Sequence, residues 1–329
     1  VRHSVVAGGS GFIGSHLCKR LLESGEVVTC IDSLITSKKD NINQLLKEYP
    51  EHFSFIKADI NCGDYVESLL DFMKVRPNFR TPARLYNLAC PASPKAYQND
   101  PIHTFMTNTL GTLNLLKCAE KYNMRFLLAS TSEVYGNPNV HPQKEEYRGD
   151  VNFTGPRACY DVGKRGAECL TFDYKRVKPS MSIRVARIFN TYGPNMDPDD
   201  GRVVSNFIMQ ALKNEDITVY GDGTQTRSLC FVSDTVTGLI NLMDHKGFSG
   251  PVNLGNTHEL KIIDIAKLII NLTGSTSKIT FKELPQDDPL VRCPDITLAK
   301  DRLGWEPAVS VKTGLLNTIE HFKKVVYKY

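Results

Sequence analysis

No stretch of the 329 residues approaches the run of about 18 apolar residues that a membrane-spanning helix needs. The first residues, Val1-Arg2-His3-Ser4-Val5-Val6, enter a strand pattern directly, with no signal peptide ahead of it. The expectation is a cytoplasmic protein without membrane contact. The chain also starts without an initiator methionine, which fits an excised domain, so a lumenal domain cut from a membrane-anchored form stands as the alternative. Neither sign of charge dominates: 40 Lys and Arg face 36 Asp and Glu, a net charge of +4. That balance argues against a nucleic-acid partner and leaves room for a local basic groove around an anionic ligand. No C-x-x-C pair occurs, and no His, Cys or carboxylate cluster has metal-ligand spacing, so no metal is expected. The nine cysteines are odd in number and scattered, and Cys18, Cys30 and Cys118 sit among apolar residues. They read as free, mostly buried thiols of a reducing compartment. There is no internal repeat and no low-complexity segment.

A hydrophobic share of 41% and a charged share of 23% are ordinary for a globular chain that buries a full core. Short β-rich runs at His3–Ala7, Glu26–Ile31, Phe53–Lys57, Arg84–Ala89, Arg125–Ser130 and Met181–Ile188 alternate with amphipathic stretches. Those stretches are Phe12–Ser24, Tyr65–Lys74, Ile102–Tyr122 and Arg157–Arg176. This alternation predicts an α/β fold, a doubly wound parallel sheet of Rossmann type with ligands at the carboxyl ends of its strands. After Asn190 the rhythm breaks. Thr191–Arg202 reads as loop, followed by a helix at Val204–Leu212, a strand at Ile217–Tyr220 and a turn at 221–223. A helix at Ile262–Leu272, a strand at Lys278–Phe281 and helices at Ile296–Leu303 and Thr313–Val325 follow. The expected division is a dinucleotide-binding domain from residues 1–189 and 229–256. A smaller, interleaved C-terminal α/β substrate lobe takes 190–228 and 257–329.

Gly8-Gly9-Ser10-Gly11-Phe12-Ile13-Gly14 follows the first strand and opens the first helix. Glycines at this spacing let the backbone turn tightly and approach a pyrophosphate seated on the helix N-terminus. Asp32 ends the second strand, where a carboxylate accepts from ribose hydroxyls and repels a 2′-phosphate, so NAD is expected over NADP. Asp59 and Ile60 flank the adenine in this reading. Leu88 and Ala89 close the fourth strand as a floor for the nicotinamide half.

Tyr160 and Lys164 are four apart on an expected helix and so share a face. An ammonium beside a phenol lowers its pKa and prepares it as a base. Tyr174 and Lys178 repeat the spacing about 20 Å further along the same helix, where a surface position is expected. Ser130-Thr131-Ser132-Glu133 favours Tyr160, because a hydroxyl at that strand end can join substrate and tyrosine in one hydrogen-bonded chain.

These segments resemble the extended short-chain dehydrogenase/reductase superfamily. The likeness sharpens at Ala89-Cys90-Pro91-Ala92-Ser93-Pro94, at Gly155–Asp161, at Ala186–Pro194, at Asp200–Phe207 and at Gln225-Thr226-Arg227. With Asp288-Pro289, Arg292-x-Pro294-Asp295 and Leu303–Pro307, it resembles the UDP-glucuronate decarboxylase family over nearly the whole chain. The resemblance implies a tightly held NAD, with Ser33 and Thr36 joining its contacts, and a UDP-sugar substrate. It implies that Tyr160 takes the C4 hydroxyl proton, Lys164 binds the nicotinamide ribose and Thr131 holds the C4 oxygen. By the same resemblance, Glu133 is expected to orient the ring or a water near C5 and Arg292 to reach the substrate. It further implies that Arg227 binds the diphosphate, that Asn190 contacts the diphosphate-sugar segment with Arg202 in the same cradle, and that Val203, Val204, Ser205 and Tyr220 flank the uracil. Ser132 stands where related 4,6-dehydratases carry an aspartic acid that expels the C6 hydroxyl, and serine cannot do that work. A homodimer through the helices at 102–122 and 157–176 is implied too.

Other readings on the same scaffold are a 4,6-dehydratase, a C4 epimerase or an enzyme that forms a branched pentose. The non-enzyme alternative is a dinucleotide-sensing regulator, although that role dispenses with Tyr160 and Lys164. Five positions depart from the family pattern: Ala7 for a threonine, Ser37 for a glycine, Asn87 for a histidine, Val162 for a glutamate and Asn195 for an arginine.

Overall fold

In chain order the strands are β1 (His3–Ala7), β2 (Val27–Asp32), β3 (Phe53–Lys57), β4 (Arg84–Asn87), β5 (Arg125–Thr131) and β6 (Ile183–Ile188). Short ones follow: β7 (Thr191–Tyr192), β8 (Ile217–Tyr220), β9 (Thr226–Ser228), β10 (Cys230–Phe231), β11 (Val252–Leu254), β12 (Glu259–Lys261) and β13 (Ile279–Lys282). This computed structural model describes residues 2–73, 83–284 and 290–327. Lys74, at the expected end of one helix, and Asp288-Pro289 lie outside the described residues.

Seven strands make one sheet in the order β11-β6-β5-β4-β1-β2-β3. Every pairing in it is parallel. Both faces are covered because successive side chains alternate sides and both sets are apolar. Val6, Leu127 and Ala186 join one core, while Val5, Ala7, Phe126, Leu128 and Val185 join the other. The chain runs outward from β1 to β3, then returns to start β4 on the far side of β1. The loops after β1 and β4 therefore diverge, and the crevice between them is where such sheets hold ligands.

The helices are α1 (Phe12–Glu23), α2 (Asp40–Glu48), α3 (Gly63–Met73), α4 (Pro94–Asn99), α5 (Pro101–Met106), α6 (Thr112–Lys121) and α7 (Ala158–Val177). After them come α8 (Val203–Leu212), α9 (Val232–Asp244), α10 (Ile262–Thr273), α11 (Thr297–Leu303) and α12 (Val311–Val326). α1 and α9 supply Leu17, Leu21, Leu239 and Leu242 to one core, and α3, α6 and α7 supply Val66, Leu70, Leu115, Leu116 and Ala167 to the other. Each such aliphatic side chain contributes roughly 1.5–3 kcal/mol by leaving water.

The expected single helix over 102–122 is two helices joined by a π-turn at Thr107–Gly111. Three consecutive side chains there bond back one turn, Thr107 to His103 O at 2.8 Å, Asn108 to Thr104 O at 3.1 Å and Thr109 to Phe105 O at 2.9 Å. Such back-bonds compete with the helix ladder and loosen it. The strand expected from Glu26 begins at Val27, and the Glu26 side chain instead accepts from Ser4 and Arg84. α2, α4, α9, β9, β10, β11 and β12 have no counterpart in the sequence reading, and Thr191–Tyr192, read as loop, is the short strand β7 because it pairs with Cys230–Phe231. In α9, Gly238 interrupts the helical pattern because a Cβ there would lie 2.9 Å from Leu254 and 3.1 Å from Trp305. No helix among the described residues is long and apolar enough to cross a membrane. All nine cysteines are free, and five of them are buried.

Candidate active site

A cleft of about 1010 Å³ opens at the carboxyl ends of the strands, between the β1 and β4 loops and the segment 190–204. Gly8, at φ +79°, lies so close to the β4 loop that a Cβ would meet Leu88 C at 2.7 Å. A Cβ on Gly14 would sit 2.1 Å from Gly8 O, so only glycine lets α1 start against this turn. The N-cap Gly11 offers no side-chain cap and the first turn of α1 holds no acid. The N–H groups at Phe12, Ile13 and Gly14 thus present an uncompensated positive end to the cleft. These features fit a dinucleotide diphosphate.

Asp32 is buried and its carboxylate already has three donors: Ser10 N at 3.0 Å, Leu34 N at 2.9 Å and the Ser37 hydroxyl at 2.7 Å. It braces the glycine loop and the loop after β2 together, and Ser37, the departure from family glycine, is part of that brace. Thr36 and Leu88 line the cleft; Ser33 and Ala89 are not among its lining residues. Asp59 accepts from Asn61 N and pairs with His103 at 2.8 Å, and Ile60 is buried behind it. Asn195 bonds Ser15 on α1 at 3.1 Å where the family pattern has a cation.

At the closed end, β5 delivers Thr131, a 3-10 turn at Ser132–Tyr135 follows, and α7 brings Tyr160 and Lys164 across from it. Lys164 donates to Ala129 O at 2.9 Å and lies 5.9 Å from the Tyr160 ring centroid. The expected depression of the phenol by the lysine is not realised. Burial pushes Tyr160 well up, nearby negative groups add to this, and only Thr131 works the other way. Burial likewise lowers Lys164. Tyr174, by contrast, donates to Glu120, which also pairs with Lys178 at 2.7 Å, and neither residue reaches the cleft.

Glu133 lines the cleft with its Oε2 held twice, by Arg157 Nη2 at 2.6 Å and by Arg292 Nη2 at 3.2 Å. Burial raises its pKa, but Arg292, Arg157 and Arg227 together outweigh burial and hold the carboxyl below its ordinary value. Arg292 is 1% exposed and does not line the cleft; it also donates to Ser132 O and to Gly136 O. It acts on the cleft through the turn it grips.

Asn190, Arg202, Val203, Val204 and Arg227 also line the cleft. The Oδ1 of Asn190 is buried without a partner among the described residues, an acceptor awaiting a donor. Arg202 is held by Asp200 at 2.7 Å and covers the Phe12 ring at 5.5 Å. Ser205 is turned inward to Asp200, and Tyr220 is exposed beyond the cleft rim.

Of the cleft residues given no role in the sequence reading, two stand beside Glu133 and Tyr160. Arg157 is one, and its place within the Gly155–Asp161 motif was the signal that could have found it. Tyr97 is the other: it stacks on Tyr160 with centroids 5.0 Å apart and rings 7° from parallel, and its hydroxyl is buried without a partner among the described residues. No group of three or more metal-ligand side chains is placed to hold an ion among those residues.

A family model described as GDP-mannose 4,6 dehydratase matches residues 5–318. UDP-glucuronic acid decarboxylase 1 of Xenopus tropicalis is 49% identical over 320 residues, 97% of this chain and 72% of the relative. UDP-glucose 4-epimerase of Thermotoga maritima, solved with UDP-glucose, superposes with a TM-score of 0.88 at 29% identity, over 98% of this chain and 99% of that one. UDP-glucuronic acid 4-epimerase of Bacillus cereus, solved with UDP-glucuronic acid and NAD, gives 0.85 at 28% identity with the same coverage.

Proposed function

We propose that this chain, which belongs to the GDP-mannose 4,6-dehydratase family of extended short-chain dehydrogenases/reductases, decarboxylates UDP-glucuronate to UDP-xylose with a bound NAD. The observation that carries the reading is the closed end of the cleft. Tyr160, Lys164 and Thr131 meet there beside Ser132, which is no acid, and beside a glutamate held ionised by arginines.

The glycine loop and the N-terminus of α1 hold the diphosphate of the cofactor, and Asp32 sets the preference for NAD. When bound, the dinucleotide supplies a hydride acceptor at C4 of the sugar and returns that hydride at the end, so net redox change is zero. Tyr160, as the phenolate that forms in the liganded cleft, takes the proton of the C4 hydroxyl while Thr131 holds its oxygen. The resulting β-keto acid loses its carboxylate as CO₂, with the electron pair delocalised onto the C4 ketone. Glu133, ionised and with Oε2 locked, uses Oε1 to orient the water that protonates C5. Arg292 is a positioning residue for Glu133. Arg157 faces the sugar acid, and Asn190, Arg202 and Arg227 take the UDP diphosphate. The segments 190–228 and 257–329 are the substrate lobe in this reading.

The test is incubation of cofactor-stripped protein with UDP-glucuronate and either NAD or NADP, followed by mass analysis. With NAD the sugar nucleotide should lose CO₂ and appear as UDP-xylose; with NADP little should form. Deuterium at C4 should return to C4. UDP-glucose should give no 4-keto-6-deoxy product, for want of an acid at position 132. A product of unchanged mass would instead indicate epimerisation and sink the reading.

The same proposal includes a homodimer. Ile102, 77% exposed, and Phe105, Met106 and Leu110 form an apolar strip along α5 and the π-turn, both of which pack on α7. Light scattering should give twice the chain mass, and Phe105→Lys with Leu110→Lys should give one. A wild-type monomer would contradict the dimer.

A further inference from the structure

Asp161 follows the reactive tyrosine in α7 and is 7% exposed. Its Oδ2 lies 3.7 Å from Arg157 Nε, while its Oδ1 is buried without a hydrogen-bond partner among the described residues. The far end of the same Arg157 grips Glu133 at 2.6 Å. One guanidinium on the cleft wall is thus shared between two carboxylates.

We propose that Asp161 is a positioning residue that sets, through Arg157, how strongly the cleft attracts a sugar acid. Protonated, it leaves Arg157 to Glu133 and to the substrate carboxylate. Ionised, it draws Arg157 toward α7 and adds a second anion where the substrate brings a third. The inference rests on the reading of this cleft as a site for UDP-glucuronate.

The surroundings of Asp161 place this change near neutrality. Burial, then the charge of Glu133, push its carboxyl up to about 7, while Arg157 and Arg292 oppose them. Tyr97 from α4 and Cys159, Tyr160 and Arg165 from α7 also face it electrostatically. Of all these groups, Asp161 alone is placed to change charge near pH 7. The sign follows directly: as pH rises through 7, Asp161 gains negative charge and affinity for the sugar acid falls.

The test is calorimetric binding of UDP-glucuronate and UDP-xylose to the protein loaded with NADH, which cannot take hydride from the sugar, from pH 6 to pH 8.5. The two ligands differ only by the carboxylate, so their affinity ratio removes effects on the UDP end. In the wild type the ratio should fall on the order of three- to tenfold across this range, as one added charge several ångströms away implies. In Asp161→Asn the ratio should stay flat near its low-pH value, and in turnover the pH dependence should leave KM rather than kcat. A variant that keeps the wild-type slope overturns the proposal. Should that variant fail to fold, a flat ratio in the wild type alone overturns it. UDP-glucuronate that binds but is never decarboxylated would defeat the reaction proposed above while the ratio still decides the role of Asp161. Absence of binding by either ligand defeats both.

Discussion

Tyr160→Phe leaves a folded protein that still binds NAD and turns over about 10² to 10⁴ times more slowly, the usual cost of losing one positioned general base. The substitution removes only the hydroxyl. The ring stays stacked on Tyr97 at 5.0 Å and fills the same buried space. Burial keeps the phenol protonated in the unliganded protein, so its proton is free to leave only when positive charge arrives beside it. Lys164, tied to Ala129 O, is fixed where it can serve that purpose but does not achieve it alone. Tyr174→Phe is the matched control. It gives up a bond to Glu120 at the helix end and should leave turnover nearly unchanged. Stopped-flow turnover with a separate NAD titration checks both variants; wild-type rates in Tyr160→Phe would remove Tyr160 from the chemistry.

Glu133→Gln should cost both stability and rate. Its carboxylate is the nearest counter-charge for Arg292, whose other hydrogen bonds among the described residues go to the carbonyls of Ser132 and Gly136. Removing one partner of a buried ion pair costs about 3–5 kcal/mol, because the remaining charge stays desolvated. Turnover should fall by about 10² for loss of a group acting on proton transfer. The pH dependence of stability carries the same signature. The folded carboxyl titrates below its ordinary value of 4.5, so its contribution is complete above that pH and is lost as pH falls through the lower folded value. Glu133→Gln should therefore flatten the acid limb of the wild-type stability curve. Adding Arg292→Met should restore part of the stability without restoring rate. Denaturant midpoints indistinguishable from wild type in Glu133→Gln would show that the two arginines do not depend on it.

The elements that local pattern dictates were legible before any fold was seen. His3–Ala7 and Phe53–Lys57 are strands with those bounds, because short apolar runs between turn residues can do little else. The glycine loop is legible for the same reason: close approach to Leu88 and to its own helix demands residues without Cβ at fixed spacing. Tyr160 and Lys164 share a face because a helix repeats every 3.6 residues. Other features depend on what packs against a segment from far along the chain. The π-turn at Thr107–Gly111 arises where Asn108 meets Gly163 of α7 and Gly111 meets Ile60. β11 is three residues long and is a strand only because β6 offers its edge.

The sequence by itself determined a parallel α/β sheet, a diphosphate-binding turn and a tyrosine–lysine pair, since each is a statement about neighbours within a few residues. The tertiary structure alone decided the charge states. Arg292, which the motif brings toward the substrate, is buried behind the turn it grips, and Arg157 takes the cleft wall instead. Glu133 is held ionised, Asp161 is raised to about 7 and Tyr160 is kept protonated. A side chain's proton affinity is set by how much water burial removes and by which charges, from any part of the chain, fill the space left behind.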